Sequence, residues 1–253
     1  MYKIHFVFDN SQKAKNLKKS LKKYHNYKPS KSDVIVVAGG DGFMLKTLKK
    51  YHKFNKPFYG INCGSFGFLM NKYLDKDLQK KIKRSKQTII NPLDLIATNK
   101  KNIRKKIIAI NEVSLFRQSR QTASLNLKVG KKIILKNLIG DGVLISTPAG
   151  STAYNLSVDG PILSLNSKKL AITPISPFRP RRWKGKSVSD KSNISIRNLN
   201  SRKRPVAAVA DNFEIRNIKS LNIKINKLIK IKLLYDKSRS LIKRIKVEQL
   251  RKK

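Results

Sequence analysis

Apolar residues recur along this chain with two periods, and the change from one to the other divides it. Residues 3–8 (KIHFVF) alternate as a strand does, and residues 12–23 place Ala14, Leu17 and Leu21 on one helical face. Residues 33–38 (DVIVVA) form a β-branched apolar run closed by a glycine pair, the pattern of a buried parallel strand. Helical spacing returns over residues 44–54 through Leu45 and Leu48, and residues 58–62 read as a third strand. This β-α-β-α-β order predicts a three-layer α/β domain with a parallel sheet. From about residue 93 the two-residue period takes over. Leu125, Leu127 and Val129 alternate, and Gly130-Lys131 turns the chain into residues 132–135 as a hairpin. Residues 107–116, 142–146, 193–197, 206–210 and 222–234 also read as strands, which predicts a second, all-β domain. The expected division is an N-terminal α/β domain over 1–92 and a β-sandwich-like domain over 93–235, joined near Asn91-Pro92. The stretch from about 236 to 253 is either a helix returning to the first domain or a solvated tail.

Composition narrows the function classes. The chain has 253 residues, enough for a sizeable core, and its 40% hydrophobic content argues against full disorder. No apolar run approaches the roughly 18 residues of a bilayer span, and the N-terminus lacks a secretory core, so a cytoplasmic protein without a membrane partner is expected. The single cysteine, Cys63, excludes an intrachain disulfide and a multi-cysteine metal site. Lys and Arg number 58 against 14 Asp plus Glu, a formal charge of +44. That excess invites a nucleic-acid partner. Yet 44 of the 58 are Lys, spread along most of the chain, whereas phosphate and base recognition favours clustered Arg. Lys, Asn and Ile share AT-rich codons, so mutational bias accounts for the composition and no specific nucleic-acid partner is expected.

Three windows escape the lysines: residues 32–45, 57–71 and 137–167 contain no Lys or Arg. Burial explains low charge, but not the abundance there of Gly, Ser, Thr and Asp, which favour turns and exposed amides. The first window holds Gly39-Gly40-Asp41-Gly42 between a strand and a helix. Glycines let backbone amides approach phosphate oxygens at a helix N-terminus. The carboxylate of Asp41 repels a phosphate unless it binds a metal or takes a proton, and it has little structural reason to stand there. An ordinary Gly-Asp-Gly turn is the competing explanation. The third window holds Gly140-Asp141-Gly142 and then Ser146-Thr147-Pro148-Ala149-Gly150-Ser151-Thr152-Ala153-Tyr154, a loop offering hydroxyls and amides to a polar, oxygen-rich ligand. Asn111-Glu112 interrupts an apolar strand, either to grip ribose hydroxyls or to end the strand.

Together these segments, VVAGGDGFML, YGINCGSFGFL, INEVSL and GDGVLISTPAGSTAYNLSVDGPIL, resemble the NAD kinase family, whose motifs occur in this order. The similarity runs from residue 33 into ITPISPFRPRRW and more weakly to about 216. It implies an α/β domain followed by a β-sandwich-like domain. It also implies transfer of the ATP γ-phosphoryl to the 2′-hydroxyl of the adenosine ribose of NAD, giving NADP. Carried over by motif, Asp41 is the general base, and Asp41 with Gly42 touches NAD. Asn111 and Glu112 hold the nicotinamide-side ribose region. Asp141, Ala149, Thr152, Ala153, Tyr154, Asn155, Leu156 and Ser157 bind the rest of the dinucleotide. Mg²⁺, held mainly by ATP phosphates, supplies charge, and a homodimer or homotetramer is implied. Another GGDG-type kinase, acting on a lipid or a sugar, is the alternative enzyme, and a basic nucleic-acid-binding protein is the alternative of another class.

Overall fold

A computed structural model describes residues 1–64, 67–73, 77–237 and 243. The chain forms two compact units, Met1–Ile90 with the described residues from Ile229 onward, and Asn91–Leu228.

The first unit carries strands β1 (Ile4–Phe8), β2 (Val34–Gly39), β3 (Phe58–Asn62) and β4 (Lys86–Ile90), with helices α1 (Gln12–Ser20), α2 (Asp41–Tyr51) and α3 (Leu78–Arg84). A late strand, β16 (Ile231–Tyr235), completes the sheet in the order β1-β2-β3-β16-β4. All neighbours pair in parallel except β16 with β4. The apolar run of β2 is buried on both faces. Val34, Val36 and Ala38 join Ile4, Phe6, Tyr59 and Ile61 in a cluster closed by Ala14 and Leu17 of α1 and Leu78 and Ile82 of α3. Ile35 and Val37 point the other way and are equally buried. Helix α2, with Met44, Leu45 and Leu48 buried, packs on β2 and β3. Side-chain caps set the helix starts. Ser11 accepts the Ala14 amide at α1, and Asp77 accepts the Gln79 and Lys80 amides at α3.

On its pattern alone, 222–234 is expected as one strand of the second domain. The structure breaks it, and the final strand β16 belongs to the first sheet, between β3 and β4. The alternation of Ile231, Leu233 and Tyr235 suits either sheet, so periodicity cannot assign the strand to one of them. Of the expected tail from about 236 to 253, all but Asp236, Lys237 and Lys243 lie outside the described residues.

The second unit holds β5 (Leu93–Asn99), β6 (Arg104–Ala109), β7 (Glu112–Arg117), β8 (Ala123–Val129), β9 (Lys132–Ser146) and β10 (Lys169–Arg179). It continues through β11 (Lys186–Ser189), β12 (Ile194–Asn198), β13 (Val206–Ala210), β14 (Phe213–Ile215) and β15 (Ile218–Ile225). A one-turn helix, α4 (Tyr154–Ser157), follows β9. The strands make one eleven-stranded antiparallel sheet, ordered β14-β13-β7-β9-β8-β12-β15-β5-β6, with β10 on β9 and β11 on β10. β13, near one end, touches β6 at the other. One buried cluster takes in Leu93, Leu115, Leu125, Val143, Ile172, Ile196, Ala208 and Leu221. The sheet therefore curls onto itself as a sandwich. The β8–β9 hairpin turns at Gly130, whose φ of 59° favours glycine.

Candidate functional site

The residues singled out by sequence divide between the two units. Asp41 and Gly42 lie in the first and the others in the second. β2 ends at Gly39, Gly40 caps α2 with an extended backbone, and Asp41 is the first helical residue. Gly39 has no room for a side chain, because a Cβ would stand 2.7 Å from Phe43 and 2.8 Å from an Asp9 oxygen. Gly40 and Gly42 differ. Nothing lies within 4 Å of a Cβ added at either, and neither has a positive φ. Packing does not require glycine at these two positions. Their effect is to leave the amides at a helix N-terminus bare, as an approaching anion needs.

Asp41 has the structural reason that its sequence position conceals. Its Oδ2 accepts the Phe68 amide at 2.6 Å and its Oδ1 accepts the Leu69 amide at 2.9 Å. The carboxylate thereby ties the chain after Gly67 to the turn, and the two bonds orient it. Cys63 follows β3 and is buried. Burial pushes its thiol up to about 11, the Asp9 charge adds to the rise, and Lys13 opposes it.

In the second unit, residues 107–116 are two strands, not one, because the chain turns at Ile110-Asn111 between β6 and β7. Asp211 makes that corner. It sits between β13 and β14 with φ 53°, and its carboxylate accepts the amides of Ile110 (2.9 Å) and Asn111 (2.8 Å). Its own amide donates to the Glu112 carbonyl at 3.1 Å. The Asn111 carbonyl accepts both the amide and the hydroxyl of Thr147, at 2.9 and 3.1 Å. Thr147 Oγ1 in turn accepts the Gly150 amide at 3.0 Å. Gly150 comes so close that a Cβ would meet the Asn111 carbonyl oxygen at 2.2 Å. The Asn111-Glu112 corner and the loop beginning at Thr147 are thus built against each other.

Most polar side chains of that loop face inward, contrary to the expectation that they are offered to a ligand. Ser146, Thr147, Ser151 and Asn155 are buried. Asn155 Nδ2 donates to the carbonyls of Ser151 (3.2 Å) and Pro161 (3.0 Å), and its Oδ1 accepts the Thr173 hydroxyl at 2.7 Å. Its side chain builds the loop. Among the described residues, the buried site atoms Asn111 Oδ1 and Thr152 Oγ1 find no hydrogen-bond partner. Such atoms are rare and costly in a folded protein, and they can accept hydrogen bonds from a polar ligand.

Gly140-Asp141-Gly142 lies inside β9 and is not a turn. A Cβ at Gly142 would fall 1.9 Å from the Leu115 carbonyl oxygen, so its glycine serves strand packing. Asp141 accepts Arg117 Nε at 2.5 Å, with both side chains over a third exposed. The Tyr154 ring lies 5.7 Å from Phe116, tilted by 38°. Burial raises its hydroxyl pKa above the ordinary value, and the charges of Asp141 and Glu112 raise it further. The structure thus brings Glu112, Asp141 and Tyr154 into one electrostatic neighbourhood. Ala149 is buried, Ala153 and Leu156 are half-buried, and Ser157 is exposed. Asp211 is the residue that pattern reading misses. Its only signal is Asp-Asn directly after an apolar strand, a pair that tolerates left-handed backbone.

Two family models match the chain, the ATP-NAD kinase N-terminal domain over residues 4–87 and the ATP-NAD kinase C-terminal domain over 110–230. The chain is 46% identical to the NAD kinase of Zymomonas mobilis over 242 residues, 94% of each chain. It is 41% identical to the NAD kinase of Brucella suis, over 98% of this chain and 97% of the relative. Its fold is similar to that of an NAD kinase from Archaeoglobus fulgidus in complex with ATP, with a TM-score of 0.74, 21% identity and coverage of 93% and 94%. Yeast NADH kinase complexed with NADH also gives a TM-score of 0.74, at 24% identity, over 86% of this chain and 66% of that one.

Proposed function

We propose, because this chain belongs to the NAD kinase family, that it transfers the γ-phosphoryl group of ATP to the 2′-hydroxyl of the adenosine ribose of NAD, giving NADP. The observation that carries the proposal is that the likeness to NAD kinases extends through both units, and so takes in every motif. Neither a lipid- or sugar-directed kinase nor a nucleic-acid-binding protein finds support among the similar proteins.

A ribose hydroxyl is a poor nucleophile at neutral pH and needs a base within hydrogen-bond reach. Asp41 takes that role. Its carboxylate receives the hydroxyl proton as the 2′-oxygen bonds the γ-phosphorus, and the bond to the β,γ-bridging oxygen breaks to release ADP. The Phe68 and Leu69 amides hold the carboxylate in one orientation beforehand. The bare amides around Gly40 and Gly42 receive phosphate oxygens. Asn111 and Glu112 take the nicotinamide-side ribose, with Asn111 Oδ1 as an acceptor already in place. Asp141, Ala149, Thr152, Ala153, Tyr154, Leu156 and Ser157 bind the remainder, while Asn155 holds their loop. Tyr154, kept protonated by its surroundings, offers a ring face and a hydroxyl.

Mg²⁺, when bound, supplies neutralising charge at the phosphate oxygens. The Asp41 carboxylate is a hard oxygen donor that suits a cation taking few protein ligands and holding mainly to phosphates. A cytoplasmic homo-oligomer, dimer or tetramer, completes the proposal. Purified protein given NAD, ATP and Mg²⁺ should form NADP, read by an NADP-specific dehydrogenase. Folded protein that forms none, with ATP or with polyphosphate as donor, would overturn it.

A further inference from the structure

Asn111 offers a buried acceptor with nothing of its own to aim it, since its Oδ1 finds no hydrogen-bond partner among the described residues. The direction in which such a side chain leaves the chain is set by the backbone on either side of it. We infer that Asp211, which lies outside every motif read from the sequence, is a positioning residue that aims Asn111 and Glu112 and so sets the affinity for the dinucleotide. The role rests on the kinase reading above and deepens it, adding a residue that acts through others.

The two peptide units that flank Asn111 are held at both ends. In the unit between Ile110 and Asn111, the Asn111 amide donates to Asp211 Oδ1 at 2.8 Å and the Ile110 carbonyl accepts the Thr147 hydroxyl at 2.9 Å. In the unit between Asn111 and Glu112, the Glu112 amide approaches the same oxygen at 3.4 Å and the Asn111 carbonyl accepts the Thr147 amide at 2.9 Å. The Ile110 amide completes the set, 2.9 Å from Asp211 Oδ2. Three successive amides thus converge on one carboxylate, the way a concave backbone holds an anion. With both peptide planes fixed, the Cα–Cβ bond of Asn111 has one direction. The same carboxylate supports the other half of the site, because Thr147 bonds to the two carbonyls of this corner and begins the loop that carries Thr152.

A simpler account would make Asp211 a turn residue only. Its φ of 53° lies in a region that aspartate tolerates better than most side chains, and Ala210 pairs with Phe213 across a two-residue turn. The carboxylate of a turn residue ordinarily bonds backbone within its own turn. This one reaches amides 99 to 101 residues away. Glycine would suit the turn better and would leave the corner without its anion. The hairpin is also fastened beside the carboxylate, where Lys105 Nζ on β6 lies 4.4 Å from the centroid of the Phe213 ring. Its tip therefore has a fixed place from which to hold the corner.

Kinetics of the full chain with NAD varied at saturating ATP, beside calorimetric NAD titration, test the role. Asp211→Gly keeps the left-handed turn and removes only the carboxylate. Asp211→Asn sets an NH₂ group against a backbone amide whichever way it turns. Both should raise the KM and the dissociation constant for NAD roughly ten- to a hundredfold, with kcat falling less than about threefold. Hydrogen exchange at the Ile110, Asn111 and Glu112 amides should quicken in both variants, with or without NAD. Asn126→Ala removes bonds to the Leu135 and Lys136 carbonyls, near the start of β9 and far from its end at Ser146. It should lower the melting temperature and leave the KM for NAD within about twofold. An equal rise in KM in Asn126→Ala, or loss of folding in both Asp211 variants, would overturn the positioning role. So would an unchanged KM in the Asp211 variants while the parent binds and phosphorylates NAD, with the kinase reading left standing. A folded parent that binds no NAD would overturn the kinase reading and this role with it.

Discussion

Replacing Asn155 by alanine separates a residue that builds the site from one that touches the ligand. The change removes three hydrogen bonds, from Nδ2 to Ser151 and Pro161 and from the Thr173 hydroxyl to Oδ1. Ser151 and Thr173 are 0% and 1% exposed, so the groups left behind on those two residues have no water to turn to. Each buried group stranded this way costs roughly 1–3 kcal/mol, which puts the two near 4 kcal/mol together. Set against a total stability of about 5–15 kcal/mol, that is a large loss. At about 2–4 °C per kcal/mol for a chain of this size, the melting transition of the second unit should fall by roughly 8–16 °C. Scanning calorimetry measures this, and NAD titration of the cold, still-folded variant shows whether the loop at Thr147 has lost its shape. A variant melting within about 2 °C of the parent but binding NAD poorly would refute the reasoning. Asn155 would then contact the dinucleotide, and its interior bonds would contribute little.

Asp41→Asn should lower turnover at least about a hundredfold, as loss of a general base does. It should also lower the melting temperature, since one of the two amides that Asp41 accepts would face an NH₂ group. Turnover within about tenfold of the parent would remove Asp41 from the catalytic role. Gly42→Ala fills open space in a helix and should melt no lower than the parent, so any rise in the KM for ATP or NAD reports a ligand approaching that backbone. Gly150→Ala, by contrast, drives a Cβ into the Asn111 carbonyl and should cost roughly 1–3 kcal/mol in a denaturation curve. The Cys63 thiol, held near 11, should react with iodoacetamide only slowly at neutral pH and faster as pH rises, followed by mass spectrometry. Because the folded thiol keeps its proton more tightly than the unfolded one, this group contributes stability that is present below pH 9 and lost between pH 9 and about 11.

The first unit was legible because its signals are local. An apolar β-branched run ending in Gly39-Gly40 can hardly be anything but a buried strand meeting a helix, and β2 and α2 follow from it. The assignment of β16 was not legible, since the choice of sheet depends on contacts far apart in sequence. Gly142 read as the first residue of a strand over 142–146, and Gly140-Asp141 lay outside that reading. All three lie within β9, where a Cβ at Gly142 would meet the Leu115 carbonyl oxygen, a packing need that no periodicity reports. Asp41 was noticed for its charge, but its two amide partners, 27 and 28 residues away, are visible only once the chain is folded. Asp211 was missed for the same reason, being 100 residues from the Asn111 amide it accepts.

The lysine-free windows acquire a different meaning from the structure. In a chain where lysine fills so many positions, those that resist it are where an ammonium group cannot do the work required. Lysine donates but never accepts. Thr147 Oγ1 accepts from Gly150, Ser151 Oγ accepts the Leu163 amide, and Asn155 Oδ1 accepts from Thr173, all in the interior of the third window. A lysine at any of these positions would bury a charge and leave a donor unanswered. The window is therefore kept free of lysine by the building of the loop as much as by any ligand. What sets the site apart is narrower: Thr152 Oγ1 in this window, and Asn111 Oδ1 at the corner built against it, are buried without a hydrogen-bond partner among the described residues. A fold that answers the interior needs of Thr147, Ser151 and Asn155, yet leaves these atoms without a partner among the described residues, offers hydrogen-bonding capacity there to a polar ligand.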